Sequence, residues 1–251
     1  MRLLLIILSC LLGMSQARAE VITAKSWIIA DQSGRILQGQ DMDTVRPIAS
    51  ISKLLTVMIV LDAKQSLSDM MNLSDHGYDH LPTNEPYTRR SLIALALIRS
   101  DNRAAFTLCE QYPGGYDACI AAMNAKARAL GMLSTSMSDP TGLDVRNTST
   151  ARDLVLLTVA ARSYPLVVWA AGNKDVEVLT YRNHYRFHNT DPLVGRRDDI
   201  VVSKTGFTNP AGGCIVIGTK TRTVVLLASK SVHTRIPEAN ALLDLPISQG
   251  F

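Results

Sequence analysis

The chain has 251 residues, of which 47% are hydrophobic and 19% charged, and its formal net charge is +4. These proportions argue against a disordered or wholly membrane-embedded chain, and the length fits one large domain. The positive charge is too small to indicate nucleic-acid binding.

The first 19 residues predict a cleavable export signal. Arg2 precedes an apolar run that ends at Met14, and residues 17–19 (Ala-Arg-Ala) fit a small-x-small cleavage site. The run is shorter than the ~20 residues that cross a bilayer, so an uncleaved anchor is the weaker alternative. We expect a signal peptide over residues 1–19 and export of residues 20–251.

The first half of the mature chain predicts a hairpin followed by helices. Residues 26–40 form two strand-like runs around a glycine-containing turn. Residues 50–61 are too apolar on all sides for a surface helix, which predicts a buried central helix. Residues 90–109 and 117–130 have helical periodicity and many alanines. The middle of the chain, roughly residues 62–160, is therefore predicted to be a helical lobe.

The second half returns to strands. Residues 135–147 are rich in turn formers, and a helix with capping residues is predicted from Ser149 to about Ser163. Strands are predicted over residues 176–188, 200–204, 214–220 and 223–230, and a closing helix over 237–243. The fold class is α/β (α+β): an antiparallel sheet built from both termini, flanked by helices, with an inserted helical lobe.

The cysteines and histidines do not predict a metal site. Cys109, Cys119 and Cys214 do not have the spacing of a zinc site. The first two flank a turn and could either form a disulfide or remain two buried thiols. Cys214 fits a small buried thiol. His184 and His188 lie in a strand-like pattern, on which such positions are far apart. We expect neither a metal nor a cofactor.

Three short motifs carry the chemistry. They are Ser50-x-x-Lys53, Ser100-Asp101-Asn102 and Lys204-Thr205-Gly206; each occurs once, in this order. Singly, each spacing is near chance. Together they indicate nucleophilic catalysis, because a Ser and a Lys three residues apart share one helix face and the amine can take the hydroxyl proton. Burial and a second cation at Lys204 would both favour the neutral amine at Lys53.

The remaining motif residues have roles in the same reaction. Ser100 would relay a proton, and Asn102 would hold a substrate backbone amide. The start of the helix and the N–H of Phe207 would stabilise an oxyanion. The strand that carries Lys204 could add an extended peptide at its edge, with Thr205, Gly206, Phe207 and Thr208 as substrate-binding residues.

The motif set is typical of penicillin-binding proteins and class A β-lactamases. With its surroundings, it resembles the low-molecular-mass penicillin-binding proteins with D-alanyl-D-alanine peptidase activity over nearly all of the mature chain. The resemblance is carried by residues 47–54, 100–105, 139–143, 149–154 and 204–214. Residues 112–116 and 120–127 are most similar to D,D-endopeptidases of the penicillin-binding protein 7 type.

This resemblance implies a β-lactamase/D,D-peptidase-like fold, with residues 20–251 as the catalytic domain. It also implies cleavage of the peptide cross-links of peptidoglycan in the periplasm, without a stable membrane anchor. The implied partners are peptidoglycan stem peptides, with β-lactam antibiotics as covalent inhibitors. A D,D-carboxypeptidase that removes terminal D-Ala shares every catalytic residue and stays open. This sequence departs from the family pattern between Leu73 and Arg90, where the segment is short and lacks the usual glycine-rich turn.

Two further alternatives are weaker. A class A β-lactamase needs a deacylating carboxylate, usually in a Glu-x-x-x-Asn pattern, and none of the five glutamates has an Asn four residues on. A non-catalytic cell-wall-binding module is disfavoured by the intact motif set. We therefore expect Ser50 to be acylated by penicillin and to release it slowly.

Overall fold

The computed structural model of the chain describes residues 22–76, 81, 85–180 and 182–246, so the predicted signal peptide over 1–19 lies outside the described residues. The strands are β1 (Ser26–Asp31), β2 (Ile36–Gln40), β3 (Arg46–Pro47), β4 (Met70–Met71), β5 (Tyr87–Thr88), β6 (Thr148–Ser149), β7 (Asp175–Leu179), β8 (His184–His188), β9 (Ile200–Thr208), β10 (Gly212–Thr219) and β11 (Arg222–Ser229). The helices are α1 (Ser52–Asp62), α2 (Arg89–Ile98), α3 (Asn102–Glu110), α4 (Gly115–Ala129), α5 (Ala151–Ala161), α6 (Pro165–Ala171) and α7 (Arg235–Asp244).

The main sheet has five antiparallel strands in the order β2-β1-β11-β10-β9. The N-terminal hairpin joins the C-terminal strands through β1 and β11, where Ser26 lies opposite Leu227. The prediction of an antiparallel sheet built from both termini is therefore confirmed. Strand β9, which contains Lys204, lies at one edge of the sheet.

Both faces of the sheet are covered, which explains why its central strands are apolar at nearly every position. Alternate residues such as Ile28 and Val216 face the helices α1 to α6 in the larger core cluster. Their neighbours, such as Ile29 and Ile217, face α7 in a second cluster, where they meet Leu242. The predicted closing helix thus seals the second face.

Helix α1 lies in the centre of the molecule, and its residues 52–60 are all buried, as predicted. It contacts α2, α3, α4 and α5. Cys109 at the end of α3 and Cys119 in α4 form a disulfide with a Cα–Cα distance of 5.4 Å, which settles the alternative left open by the sequence. Over the described residues, no single helix is long and apolar enough to span a bilayer; α5 and α6, bent by 109°, reach that length and apolarity only as a pair.

Several elements differ from the sequence-based prediction. The helical pattern of residues 90–109 is split into α2 and α3, because Ser100 adopts a left-handed backbone conformation (φ 62°) and Asp101 caps α3 through the Ala104 N–H. The segment 176–188 is a hairpin of two strands rather than one strand. Lys204-Thr205-Gly206 lies inside β9 instead of at its end, since pairing with β10 continues to Thr208. Helix α6 was not predicted.

Candidate active site

Ser50 lies in a single 3-10 turn, Ala49–Ile51, that immediately precedes α1, so it stands just outside the helix that it was predicted to begin. The turn is tight, and Ala49 has a left-handed backbone (φ 47°). Two glycines approach it from opposite parts of the chain. A Cβ on Gly142 would lie 1.9 Å from the Ala49 carbonyl oxygen, and one on Gly206 would lie 3.0 Å from the Ser50 nitrogen. Side chains at these positions would displace the Ser50 turn.

Lys53 is fully buried and its amine contacts three polar groups. Nζ lies 2.8 Å from Ser50 Oγ, 2.8 Å from Asn102 Oδ1 and 2.7 Å from the Thr141 carbonyl oxygen. The Ser50 and Lys53 side chains are therefore within proton-transfer distance, as their spacing predicted. Asn102 and Thr141 fix the direction in which the amine points.

The corner between α2 and α3 brings the second motif to this amine. Ser100 adopts its left-handed conformation at the corner, and the Asp101 N–H donates to the Leu95 carbonyl at 3.1 Å. Asn102 then begins α3 and faces Lys53. A break in the helix therefore places Ser100 and Asn102 on the same side of the corner as the Ser50 turn.

Lys204 supplies a second buried amine. Its Nζ donates to Ser100 Oγ at 2.8 Å and to the Thr205 carbonyl at 2.7 Å. Burial, followed by the charges of Lys53 and Arg235, holds the pKa of Lys204 well below its usual value. The three motifs thus form one connected set of contacts, in which Lys53 joins Ser50 to Asn102 and Lys204 joins the set at Ser100.

The four predicted substrate-binding residues follow Lys204 along the edge of the sheet. Thr205 is buried, with its hydroxyl 2.7 Å from that of Thr190, and Gly206 packs against the Ser50 turn. Phe207 is 44% exposed, and Thr208 ends the strand by accepting a hydrogen bond from the Ala211 N–H. Because β9 is an edge strand, its outward backbone groups can pair with an extended peptide.

Sequence reasoning gave no role to Thr141 or Arg235. Thr141 belongs to a turn in which Asp139 Oδ1 accepts hydrogen bonds from the Gly142 N–H at 2.6 Å and the Thr141 hydroxyl at 2.9 Å. This Asp-Pro-Thr-Gly segment lies in the predicted turn-rich stretch 135–147, but no local signal indicated that the Thr141 carbonyl would contact Lys53. Arg235 begins α7 and donates from Nη1 to the Gly206 carbonyl at 2.7 Å.

Arg235 is a cation held beside the predicted substrate strand. Its guanidinium is partly buried, and burial lowers its pKa. Its Nε atom is buried and has no hydrogen-bond partner among the described residues. No local sequence motif marks this residue, because its position depends on how α7 packs against the sheet.

The residues considered for other chemistry lie elsewhere or are inert. Burial raises the pKa of the Cys214 thiol to about 11, which fits the predicted buried thiol and disfavours a thiolate. His184 and His188 both lie on β8, as the strand-like pattern predicted. In the described part of the chain, no three His, Cys, Asp or Glu side chains are grouped so as to hold a metal ion.

Comparison with known proteins places the chain in a family. The sequence model of the D-alanyl-D-alanine carboxypeptidase family matches residues 13–229. The chain is 38% identical to the D-alanyl-D-alanine endopeptidase of Escherichia coli K12 over 241 residues, which cover 90% of this chain and 77% of the relative. The D-alanyl-D-alanine endopeptidase of Pseudomonas aeruginosa is also 38% identical, over 236 residues covering 88% and 76%.

A solved structure agrees with this assignment. Penicillin-binding protein D2 from Listeria monocytogenes, in its ampicillin-bound form, superimposes with a TM-score of 0.81 at 28% identity, covering 89% of this chain and 97% of that one. The fold expected from the resemblance is therefore confirmed. The chain belongs to the D-alanyl-D-alanine carboxypeptidase family of serine peptidases and has the fold of the penicillin-binding proteins.

Proposed function

We propose that this protein is a serine D,D-peptidase that hydrolyses D-alanyl peptide bonds of peptidoglycan through an acyl-enzyme on Ser50, with peptide cross-links as its main substrates. The observation that carries the proposal is the position of the Lys53 amine, 2.8 Å from both Ser50 Oγ and Asn102 Oδ1 in a buried site. The preference for cross-links is supported by the two endopeptidases with 38% identity. D,D-carboxypeptidase activity on terminal D-Ala is the second candidate, supported by the family match.

In the acylation step, the neutral amine of Lys53 takes the Ser50 hydroxyl proton while Oγ forms a bond to the substrate carbonyl carbon. The N–H groups of Ser50 and Phe207 stabilise the oxyanion. The carbon–nitrogen bond then breaks, and the leaving amine receives the proton through Ser100, whose hydroxyl Lys204 holds. A water molecule later hydrolyses the ester and restores the Ser50 hydroxyl.

Substrate binding follows from the edge of β9. An extended stem peptide would pair with the outward backbone groups of this strand, as in other cases of strand addition. The Asn102 amide would meet a substrate backbone amide from the opposite wall. Thr205, Thr208 and the guanidinium of Arg235 would bind the substrate carboxylate, because hydrogen bonds from a charged donor to a carboxylate are stronger than neutral ones.

The same chemistry predicts covalent inhibition by β-lactams, because the lactam carbonyl acylates Ser50 and the amine cannot leave. Glu85 and Glu238 are both buried and bound elsewhere, to Thr180 and to the Ala24 N–H respectively. Neither is available to activate a water for deacylation. The penicilloyl ester is therefore expected to persist.

We also propose that residues 1–19 are a signal peptide, that residues 20–251 form one catalytic domain and that the protein acts in the periplasm without a stable membrane anchor. The apolar leader with its Ala-Arg-Ala pattern supports export. The Cys109–Cys119 disulfide supports an oxidising compartment, since such bonds are rare in the cytosol. Mass analysis of protein recovered from a periplasmic extract tests these proposals: a mass that includes residues 1–19 would contradict them.

The decisive experiment compares two substrates. The mature protein is incubated with cross-linked dimeric muropeptides and with monomeric pentapeptides, and the products are resolved by mass. Cleavage of the dimer to monomers supports the endopeptidase, whereas release of D-Ala from the pentapeptide alone supports the carboxypeptidase. Ser50→Ala is the control, and it should neither cleave these substrates nor be labelled by fluorescent penicillin. Rapid nitrocefin turnover by the native protein would instead indicate a β-lactamase.

A further inference from the structure

A second concave site lies beside the catalytic strand, outside the motif residues. It is a cavity of about 290 Å³ between the start of the β7–β8 hairpin and the segment that leads into β9. Its lining includes Lys174, His188, Asn189, Asp191, Gly195 and Arg196. The roles discussed so far involve none of these side chains.

The cavity is lined by two cations, Lys174 and Arg196, and one carboxylate, Asp191. Lys174 and Arg196 are both exposed, and neither forms an ion pair with any acid in the described ranges of the chain. The Asp191 carboxylate is fully buried and its two oxygens accept hydrogen bonds from the Leu193 N–H at 2.9 Å and the Ser203 hydroxyl at 2.6 Å, so it contacts neither cation directly. Among the described residues, the two exposed cations therefore outnumber the one carboxylate of the lining and have no carboxylate in contact.

The walls of the cavity are held in place by the backbone. Asn189 is held by hydrogen bonds of both kinds: its Oδ1 accepts from the Asp191 N–H at 2.9 Å, its side-chain amide donates to the Ala171 and Asn173 carbonyls, and its N–H donates to the Lys174 carbonyl at 2.8 Å. Gly195 has a left-handed backbone (φ 87°), and a Cβ there would lie 2.8 Å from the Lys174 side chain. This glycine lets Lys174 lie across the loop that presents Arg196.

The cavity is coupled to the catalytic strand by two side-chain contacts. Ser203 and Thr205 flank Lys204 and point to the same side of β9, as alternate residues of a strand do. The Ser203 hydroxyl binds Asp191, and the Thr205 hydroxyl lies 2.7 Å from that of Thr190. Asp191 lines the cavity, so the cavity lies only a few residues' length from the strand on which a substrate peptide would dock.

We infer that this cavity is an anion-binding subsite, in which Lys174 and Arg196 bind carboxylates of the second stem peptide of a cross-linked substrate. The inference rests on the proposed function and deepens it. A cross-linked dimer continues beyond the scissile bond into an acidic peptide, whereas a pentapeptide ends there. Two cations at the side of β9 therefore distinguish the two substrates and contribute to binding rather than to the chemical step.

The test compares the Lys174→Ala/Arg196→Ala protein with the native protein on three reactions. For the cross-linked dimer, KM should rise about fivefold to tenfold with kcat unchanged. The variant loses the ion pairs between these two cations and the substrate carboxylates, and that loss weakens only binding. The rate of pentapeptide cleavage and the rate of acylation by penicillin should not change. The Lys220→Ala/Arg128→Ala protein is the matched control: it loses two exposed cations elsewhere and should keep the native KM.

Two further arms identify what is bound. Amidation of the second-stem carboxyls other than the one next to the scissile bond should raise KM for the native protein to the value of the double variant. Gly195→Ala keeps both charges but displaces Lys174, and it should raise KM for the dimer alone. An unchanged KM for the dimer in the double variant would overturn the subsite while leaving the proposed function intact. If the native protein cleaved neither substrate and bound no penicillin, the proposed function itself would fail, and this inference with it.

Discussion

The amine of Lys204 lies 2.8 Å from the hydroxyl of Ser100, and the two residues come from opposite halves of the chain. Ser100 occupies a break between two helices, and Lys204 lies inside an edge strand. The pKa of Lys204 is held well below its usual value by burial and by Lys53. A lowered pKa favours the neutral amine, which can exchange a proton with the Ser100 hydroxyl. The contact therefore provides a path for proton transfer between the two segments of the site.

This contact predicts a catalytic defect in Lys204→Met, which keeps the length of the side chain and removes the amine. Acylation of Ser50 by fluorescent penicillin should slow by about a hundredfold, the usual contribution of a positioned acid or base. Ser100→Ala should slow it similarly, and the double variant should be little worse than either, because the residues act as one unit. Additive losses in the double variant would show that the two residues act separately. Thermal unfolding of each variant serves as the folding control.

The same lysine predicts how stability depends on pH. Its folded-state pKa lies below the value in the unfolded chain, so between those two values only the unfolded chain holds the proton. Unfolding then takes up a proton, and the free energy of unfolding contributed by Lys204 rises with pH through this window. It is lowest below the folded-state pKa, where a buried charge must be tolerated.

The measurement is urea unfolding of the native protein and Lys204→Met between about pH 7 and pH 10, a range that includes the upper part of this window. The difference in free energy of unfolding by which Lys204→Met exceeds the unmutated protein should shrink as the pH rises. The reason is that burying a neutral amine costs less at higher pH, and only the unmutated protein has this amine. A constant difference across the range would contradict the lowered pKa.

Gly142 predicts a second, steric defect. Gly142→Ala would place a Cβ 1.9 Å from the Ala49 carbonyl oxygen at a left-handed position (φ 83°). We expect the Ser50 turn to shift and acylation to fall at least about tenfold, since displacement of a reacting group is costly. Gly131→Ala is the matched control: its φ is 80°, but the nearest atom to the added Cβ is 3.8 Å away, on Leu156. It should lose only about 1 kcal/mol of stability and keep native acylation.

The disulfide predicts a difference in stability rather than in chemistry. Cys109→Ala/Cys119→Ala should lower the free energy of unfolding by about 2–3 kcal/mol, because the cross-link closes a short loop in the unfolded chain. Urea unfolding with and without reductant measures this loss. Reductant should destabilise the native protein by a similar amount and leave the double variant unchanged. Sensitivity of the double variant to reductant would indicate another source of the effect.

Local spacing was enough to predict part of the site. Ser50 and Lys53 are three residues apart, and any helical turn brings such side chains to one face. Their apolar surroundings predicted a buried helix, and short strand-like runs near both ends of the chain predicted the strands of the sheet. These features depend on backbone geometry within a few residues, which is why the sequence alone determined them.

Other features depended on tertiary packing. Thr141 reaches Lys53, and Arg235 reaches Gly206, from remote segments that have no periodic relation to the motifs. The break at Ser100 replaced a continuous helical pattern, because the Asp101 cap and the packing of α3 outweigh local periodicity. The sequence by itself determined which residues could do the chemistry. Only the tertiary structure decided how they meet, because contacts between distant segments are fixed by the packing of whole elements and not by local spacing.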